Sequence, residues 1–210
     1  MLVKMEAVPL LCRIISQAEK RAFREEALNV CIALCIGGNL EAQTAFCLFI
    51  QQDIENEFCR AIADQLNDCF EVIKKNQTRR NQKTEKIITL DEKISEMEEK
   101  VDEEDEELLK LKEQRKTLDD EIKDTEYIQD ELRDGEEMTL SRAIENITCI
   151  LRFLQLLCEN HNQDLQKMLN QQTNYEGRPK PKSTNIVALF ARNFEAVQKI
   201  INNVTVGFAA

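Results

Sequence analysis

The chain of 210 residues has no tryptophan and contains only five glycines and three prolines. A β-sandwich needs many short strands joined by turns, and turns depend on glycine and proline. Aromatic residues make up only 5% of the chain, whereas Leu, Ile, Glu, Lys and Gln dominate it. Because most of these residues are good helix formers, the composition predicts an almost wholly helical protein.

The sequence also lacks a stripe of basic residues. Its formal net charge is −11, and this charge belongs to one segment: residues 84–133 carry 20 acidic and 9 basic side chains, while the rest of the chain carries 19 of each. A protein that binds nucleic acid needs clustered Lys and Arg to neutralise phosphates. Nucleic acid is therefore not an expected partner.

Long hydrophobic runs are missing as well. No run reaches the roughly 20 apolar residues that cross a bilayer as a helix. The N-terminal residues MLVKMEAVPLLCRIIS lack the unbroken apolar stretch and the small-residue cleavage site of a signal peptide. The chain taken alone is expected to be soluble and not to insert into a membrane.

The eight cysteines do not have the spacing of a compact disulfide framework. Most lie inside apolar helical runs, where a free cysteine behaves as a small hydrophobic residue. These are Cys31, Cys35, Cys47, Cys59, Cys149 and Cys158. The pattern predicts a reducing compartment.

Residues 1–75 form the first of three regions, in which apolar residues recur at helical spacing. The run 27–36 predicts a buried helix, which Gly37 and Gly38 end as a C-terminal cap. A second helix is expected after Asn39, and Asp53 is a candidate cap for a third. Short helices with abrupt corners are typical of a stacked-helix array of the armadillo or solenoid kind.

The second region, residues 84–133, follows a seven-residue repeat. With Ile87 in the first a position, ten of the fourteen a and d positions are apolar: Ile87, Leu90, Ile94, Met97, Val101, Leu108, Leu111, Leu118, Ile122 and Leu132. A heptad flanked by charged residues predicts a long, acidic, coiled-coil-like helical insertion, with a possible coiled-coil partner through 84–133. A single charged helix and a disordered acidic linker stay open, since the six consecutive acids at 102–107 weaken any seam.

The third region, residues 136–210, contains a helix that is apolar over much of its surface. Its apolar residues define one broad stripe, flanked by Phe153 and Leu156: Ile144, Ile147, Ile150, Leu151, Leu154, Leu157 and Cys158. A helix that is apolar over so much of its surface must be surrounded by other helices.

Polar residues predict where the helices in the rest of this region end and begin. Glu159-Asn-His-Asn162 is expected to end the apolar helix, and Asn162 to cap the next one. A basic, proline-stiffened loop follows at residues 178–182. Ser183 or Thr184 is the candidate cap of a last helix.

His161 is the only histidine and the main candidate for chemistry. Cys158-x-x-His161 could be half of a zinc site, but no second Cys/His pair has matching spacing. Cysteine–histidine catalysis would need a thiol that the sequence does not single out. A turn histidine between two helices is the favoured interpretation. We therefore predict no catalytic, cofactor-binding or metal-binding residue, and no enzyme activity.

Two stretches resemble a known family. The main one, followed by similarities at residues 164–166 and 171–174, resembles the RIH-associated domain of the inositol trisphosphate receptors and ryanodine receptors, the large intracellular calcium-release channels. It consists of Arg152, Phe153, Leu154, Gln155, Leu156, Leu157, Cys158, Glu159, Asn160, His161 and Asn162. The other is a corner similar to the segment that precedes this domain, and it contains Gly37, Gly38, Asn39 and Gln43.

The resemblance covers roughly residues 25–65 and 140–205, whereas the heptads between them depart from the family pattern. Glu159-Asn-His-Asn162 favours the inositol trisphosphate receptors, and the glycine corner leans slightly towards the ryanodine receptors. The resemblance gives these residues a structural role.

The resemblance implies a fragment of the cytosolic coupling region of a homotetrameric channel in the endoplasmic reticulum membrane. Such a segment would pass ligand-induced movement to a pore that this chain does not contain. Its partners would be other segments and subunits of the parent channel. The alternative hypothesis is a free-standing soluble helical scaffold that dimerises through its coiled coil.

Overall fold

The computed structural model describes residues 7–100, 105–123, 129–131 and 137–206. Eight α-helices run through these residues in chain order: α1 Ala7–Gln17, α2 Arg21–Cys35, α3 Leu40–Gln52, α4 Glu57–Glu98, α5 Glu106–Lys123, α6 Leu140–Leu157, α7 Gln163–Asn170 and α8 Ile186–Val206. The expected all-α class is confirmed. Within the described residues, no helix is both long enough and apolar enough to traverse a bilayer.

The chain divides into two compact units. The first comprises Met1–Phe70 with Ile144–Glu195, and the second comprises Glu71–Ala143 with Ala196–Ala210. Most of the first and third sequence regions therefore belong to one unit. The domain boundaries drawn from the sequence remain predictions.

Glycine and asparagine make the first corner, as the sequence predicts. Helix α2 ends at Cys35, and Gly37 and Gly38 follow with φ of +72° and +65°, a left-handed conformation that glycine adopts without steric cost. The side chain of Asn39 then accepts hydrogen bonds from the backbone N–H groups of Glu41 and Ala42. Only one face of α2 is buried, because Val30 is exposed, and Ile36, the residue after the helix, is exposed too.

Caps on the later helices partly match the prediction. The Asp53 carboxylate accepts a hydrogen bond from the backbone N–H of Phe58, at 2.9 Å, in the first turn of α4. The expectation for α8 was wrong: Asn185, and neither Ser183 nor Thr184, caps this helix by accepting from the Ala188 N–H at 2.7 Å. The Ser183 hydroxyl and the Thr184 backbone N–H instead donate to the side-chain oxygen of Gln172.

Three phenylalanines from three helices form the centre of the first unit. Phe46 on α3, Phe58 on α4 and Phe153 on α6 are almost fully buried. The ring centroids of Phe46 and Phe153 lie 5.2 Å apart in an edge-to-face arrangement, and Phe58 lies 6.3 Å from each. Aromatic pairs with this geometry stabilise a core beyond their buried area.

The buried face of α6 is rotated from the predicted stripe. Phe153, Leu156 and Leu157 are buried, whereas Leu154 and Cys158 are half-buried and Ile144 is exposed. Apolar residues cover a broad part of this helix, so periodicity alone cannot select the side that faces the core. The contact of Phe153 with Phe46 selects it.

The second unit contains an antiparallel helical hairpin. Ion pairs join Lys83 to Glu121 at 3.1 Å, Asp91 to Arg115 at 3.0 Å and Glu98 to Lys112 at 2.6 Å, so the partner number falls as the position on α4 rises. These exposed pairs stabilise little individually, but they fix the direction of pairing. The apolar residues Ile87 and Leu108 are buried.

The helix expected to run through residues 84–133 is therefore not continuous. Helix α4 ends at Glu98 and α5 begins at Glu106, with the Asp105 carboxylate accepting from the Glu107 and Leu108 N–H groups. An acidic block at residues 102–107 opposes a continuous seam because like charges repel. The heptad positions Val101, Glu104, Thr125 and Leu132 lie outside the described residues.

The end of the heptad segment is not helical either. Strand β1 (Gln129–Glu131) pairs antiparallel with β2 (Glu137–Thr139), with Asp130 opposite Met138. Gln129, which falls at an a position in the register that begins at Ile87, is therefore in a strand.

Neighbouring positions on α6 test the corrected core. We expect Phe153→Ala to lower the free energy of unfolding by about 3–5 kcal/mol, because it leaves a cavity among packed rings. Leu154→Ala should cost only about 1–2 kcal/mol, because that side chain is half-exposed. Urea titration followed by circular dichroism measures both values, and equal losses would contradict the assigned face.

The hairpin predicts a short distance within one chain. Spin labels attached at positions 98 and 112 through a ketone-bearing amino acid should give a distance typical of adjacent helices, about 10 Å between axes. One continuous helix would separate these positions by about 21 Å along its axis. The short distance should persist after dilution with unlabelled chain, and its loss on dilution would indicate pairing between chains.

Candidate functional site

The two stretches that carry the family resemblance meet in the first unit. The buried side chain of Gln43 on α3 donates hydrogen bonds to the carbonyl of Leu156, at 2.9 Å, and to that of Glu159, at 3.1 Å. These carbonyls lie where α6 ends, and carbonyls at a helix C-terminus lack partners within the helix. Gln43 therefore satisfies two backbone acceptors that are distant in sequence.

Asparagines complete this contact. Asn162 donates from Nδ2 to the Gln43 side-chain oxygen, at 3.1 Å, and its own oxygen accepts from the Leu165 N–H, which caps α7. Asn160 donates from Nδ2 to the Gly38 carbonyl, at 3.2 Å. We call Gly38, Gln43, Glu159, Asn160 and Asn162 the corner cluster.

The backbone of the corner cluster requires left-handed residues. Asn160 and His161 have φ of +57° and +58°, which asparagine tolerates better than most residues. A Cβ atom on Gly38 would lie only 2.1 Å from the Asn160 Nδ2 atom, whereas one on Gly37 would meet nothing within 4 Å. Glycine at position 38 is thus needed for two reasons: it adopts the left-handed turn, and it leaves room for Asn160 to approach.

The other motif residues have different surroundings. Phe153, Leu156 and Leu157 belong to the core, and the exposed Arg152 donates to Gln155 at 3.1 Å. Asn39 caps α3 and also donates to the Leu34 carbonyl. The sequence therefore identified the members of the corner cluster but not the contacts that join them.

His161 is exposed on an open groove beside the corner cluster. Cys47 and Asp164 also line this groove, so Cys47 is the thiol available for cysteine–histidine chemistry there. Burial, together with the negative charge of Asp164, raises the pKa of the Cys47 thiol. A nucleophilic cysteine needs the opposite shift, so this arrangement does not favour catalysis.

The remaining thiols have raised pKa values too. Burial raises the pKa of Cys35, Cys59 and Cys69 to about 12, and burial also raises that of Cys158 beside the histidine turn. All eight cysteines are free. Among the described residues, no group of three or more His, Cys, Asp or Glu side chains could hold a metal ion.

A second hydrogen-bond cluster was not anticipated from the sequence. Residues 171–185, which we call the strap, lie against the end of α3 and the start of α4. The fully buried Gln172 accepts through its side-chain oxygen from Asn56 Nδ2, at 3.0 Å, and its amide nitrogen donates to the carbonyls of Met168 and Thr184. No periodic pattern marks a single buried glutamine in a loop.

Lys180, in the basic, proline-stiffened loop, is only 6% exposed. Its ammonium group donates to the carbonyls of Ile50 and Asp53. These carbonyls are at the C-terminal end of α3, where the helix dipole favours a cation. Burial lowers the pKa of Lys180, and the nearby Asp53 opposes this shift.

The C-terminal third of the chain matches a known family. Residues 141–210 match the model of the RIH-associated family, described as "RyR and IP3R Homology associated". The match supports a relationship to the ryanodine and inositol trisphosphate receptor superfamily. That family consists of channel regions and is not a family of enzymes.

The matched segment includes one side of the corner cluster, from Glu159 to Asn162. Gly38 and Gln43, on the other side, lie outside the match, so their part of the resemblance stays a prediction. No solved structure matches this chain.

Gly37 and Gly38 form a matched pair for testing the corner cluster. Alanine at either position should cost about 1–2 kcal/mol for the left-handed backbone. Gly38→Ala should cost about 1 kcal/mol more, because Asn160 must rotate away and lose its hydrogen bond. Urea unfolding measures the difference. In an Asn160→Ala background the extra cost should vanish, and its persistence would contradict the proposed contact.

Proposed function

We propose that this chain is part of the cytosolic coupling region of a tetrameric calcium-release channel of the endoplasmic reticulum. In that role it transmits ligand-induced movement to a pore formed by other segments. The observation that carries this proposal is the match of residues 141–210 to the RIH-associated family.

The construction of the first unit supports a mechanical role. Gln43 ties α3 to the end of α6 across 113 and 116 positions of sequence, and the three phenylalanines pack α3, α4 and α6 together. Close-packed interiors resist continuous deformation, so displacement of one helix moves its neighbours with it. Such a body can pass on a movement without binding a small molecule.

The Glu159-Asn-His-Asn162 sequence leads us to propose an inositol trisphosphate receptor as the nearer of the two channel types. The described residues give less support to the alternative of a dimerising scaffold. The ion pairs of α4 are made with α5 of the same chain, so the heptad does not require a second chain.

The proposal is tested in the full-length protein encoded by the parent transcript. We expect this transcript to continue into several membrane spans and its product to release calcium in response to inositol trisphosphate. Gln43→Ala should reduce the evoked release, because it leaves the Leu156 and Glu159 carbonyls without their donor. Release is measured by calcium imaging in cells that lack their own release channels.

Thr44→Ala is the matched control, since Thr44 is the exposed neighbour of Gln43. Messenger binding and tetramer assembly should be unchanged in both variants. A channel with Gln43→Ala that assembles and releases calcium normally would contradict a coupling role for the corner cluster. A transcript that ends in a small soluble protein would refute the channel assignment itself.

A further inference from the structure

The hydroxyl group of Ser183 lies at the centre of the contacts that close the strap. It accepts a hydrogen bond from the Gln172 N–H, at 2.9 Å, and donates to the Gln172 side-chain oxygen, at 3.1 Å. The same oxygen accepts from Asn56 Nδ2 and from the Thr184 N–H, at 2.7 Å. One acceptor therefore takes three donors, and Ser183 supplies one of them.

The strap also has the sequence of a substrate segment for a protein kinase. Its residues 178–185 lie outside any helix or strand, with Pro181 and Lys182 exposed and Ser183 half-buried. Lys180 and Lys182 precede Ser183 by three positions and one position, and Arg178 lies further upstream. Kinases with acidic substrate-binding grooves recognise basic side chains that precede the acceptor hydroxyl.

In the closed strap, the two lysines that precede Ser183 are already engaged in other contacts. Lys180 is buried against the Ile50 and Asp53 carbonyls, and Lys182 pairs with Glu55. A kinase can bind both lysines only when the strap has left the α3–α4 corner. The enzyme would therefore act on an open state of the segment, and the modification would shift the population towards that state.

We propose that Ser183 is a phosphorylation site and that its phosphate holds the strap open. In the reaction the Ser183 Oγ forms a bond to the γ-phosphorus of a nucleoside triphosphate. The bond between that phosphorus and the bridging oxygen breaks, the nucleoside diphosphate leaves, and the hydroxyl proton passes to the base of the kinase.

The phosphate opposes closure for two reasons. Esterified Ser183 has no hydrogen to donate to Gln172, and a charge of about −1.5 to −2 faces a side-chain oxygen instead. The new group also competes with Glu55 for the Lys182 ammonium, because phosphate oxygens are strong acceptors for cations. Both changes remove contacts that exist only in the closed strap.

The test uses the purified full chain, a serine/threonine kinase selective for basic substrates, and ATP, with the site assigned by mass spectrometry. We expect incorporation at Ser183, its loss in Ser183→Ala and its retention in Thr184→Ala. Asn56→Gly removes the donor to the Gln172 side chain and to the Lys182 carbonyl and keeps the left-handed backbone of position 56. This variant should be phosphorylated about thirtyfold faster, the factor expected from losing two hydrogen bonds.

Asn67→Ala is the matched control for the opening variant, because Asn67 bonds to Asn193 and not to the strap. If Asn56→Gly does not fold, Glu55→Ala opens the strap more gently by removing the exposed pair with Lys182, and it should also be modified faster. Hydrogen exchange then compares the phosphorylated and unmodified chains. Amide exchange in residues 171–185 should accelerate about tenfold on phosphorylation, while α2 should be unchanged.

Three results would overturn the proposal. One is the absence of phosphate at Ser183 in the wild type and in the opening variant alike, and another is incorporation into both at the same rate. A phosphorylated chain with unchanged or slower exchange in residues 171–185 would show that the phosphate does not open the strap. None of these results bears on the channel assignment, which rests on the family match.

Discussion

The side chain of Gln43 is the contact on which the first unit depends most. It spans two corners of the chain and donates hydrogen bonds to two backbone carbonyls at the end of α6. An unsatisfied buried acceptor costs more than a typical hydrogen bond contributes. The glycine and asparagine residues around it adopt left-handed conformations that let the two backbones approach.

Polar contacts of this kind recur at the other end of α3. Gln172 and Lys180 bring the strap against the last carbonyls of α3 and the start of α4. Both ends of α3 are thus held by side chains from the C-terminal third of the chain. Apolar packing supplies most of the stability of such a unit, while these polar contacts specify which corner meets which.

The acidic insertion follows a different rule. Its apolar repeat is used, but between α4 and α5 of one chain, with ion pairs that run antiparallel. A heptad repeat predicts that a helix packs against an apolar partner, but it does not identify which helix that partner is. Six consecutive acidic residues at 102–107 disfavour a continuous seam, because like charges repel.

The sequence by itself determined the helical class, the corner at Gly37 and Gly38, and the capping roles of Asn39 and Asn162. These features depend on backbone preferences and on side chains within a few positions of one another, so a local pattern carries them. Only the tertiary structure decided that Phe153 faces the core, that Asn185 caps α8 and that Lys180 is buried. Those outcomes depend on which distant surface lies opposite each residue, and spacing along a chain does not contain that information.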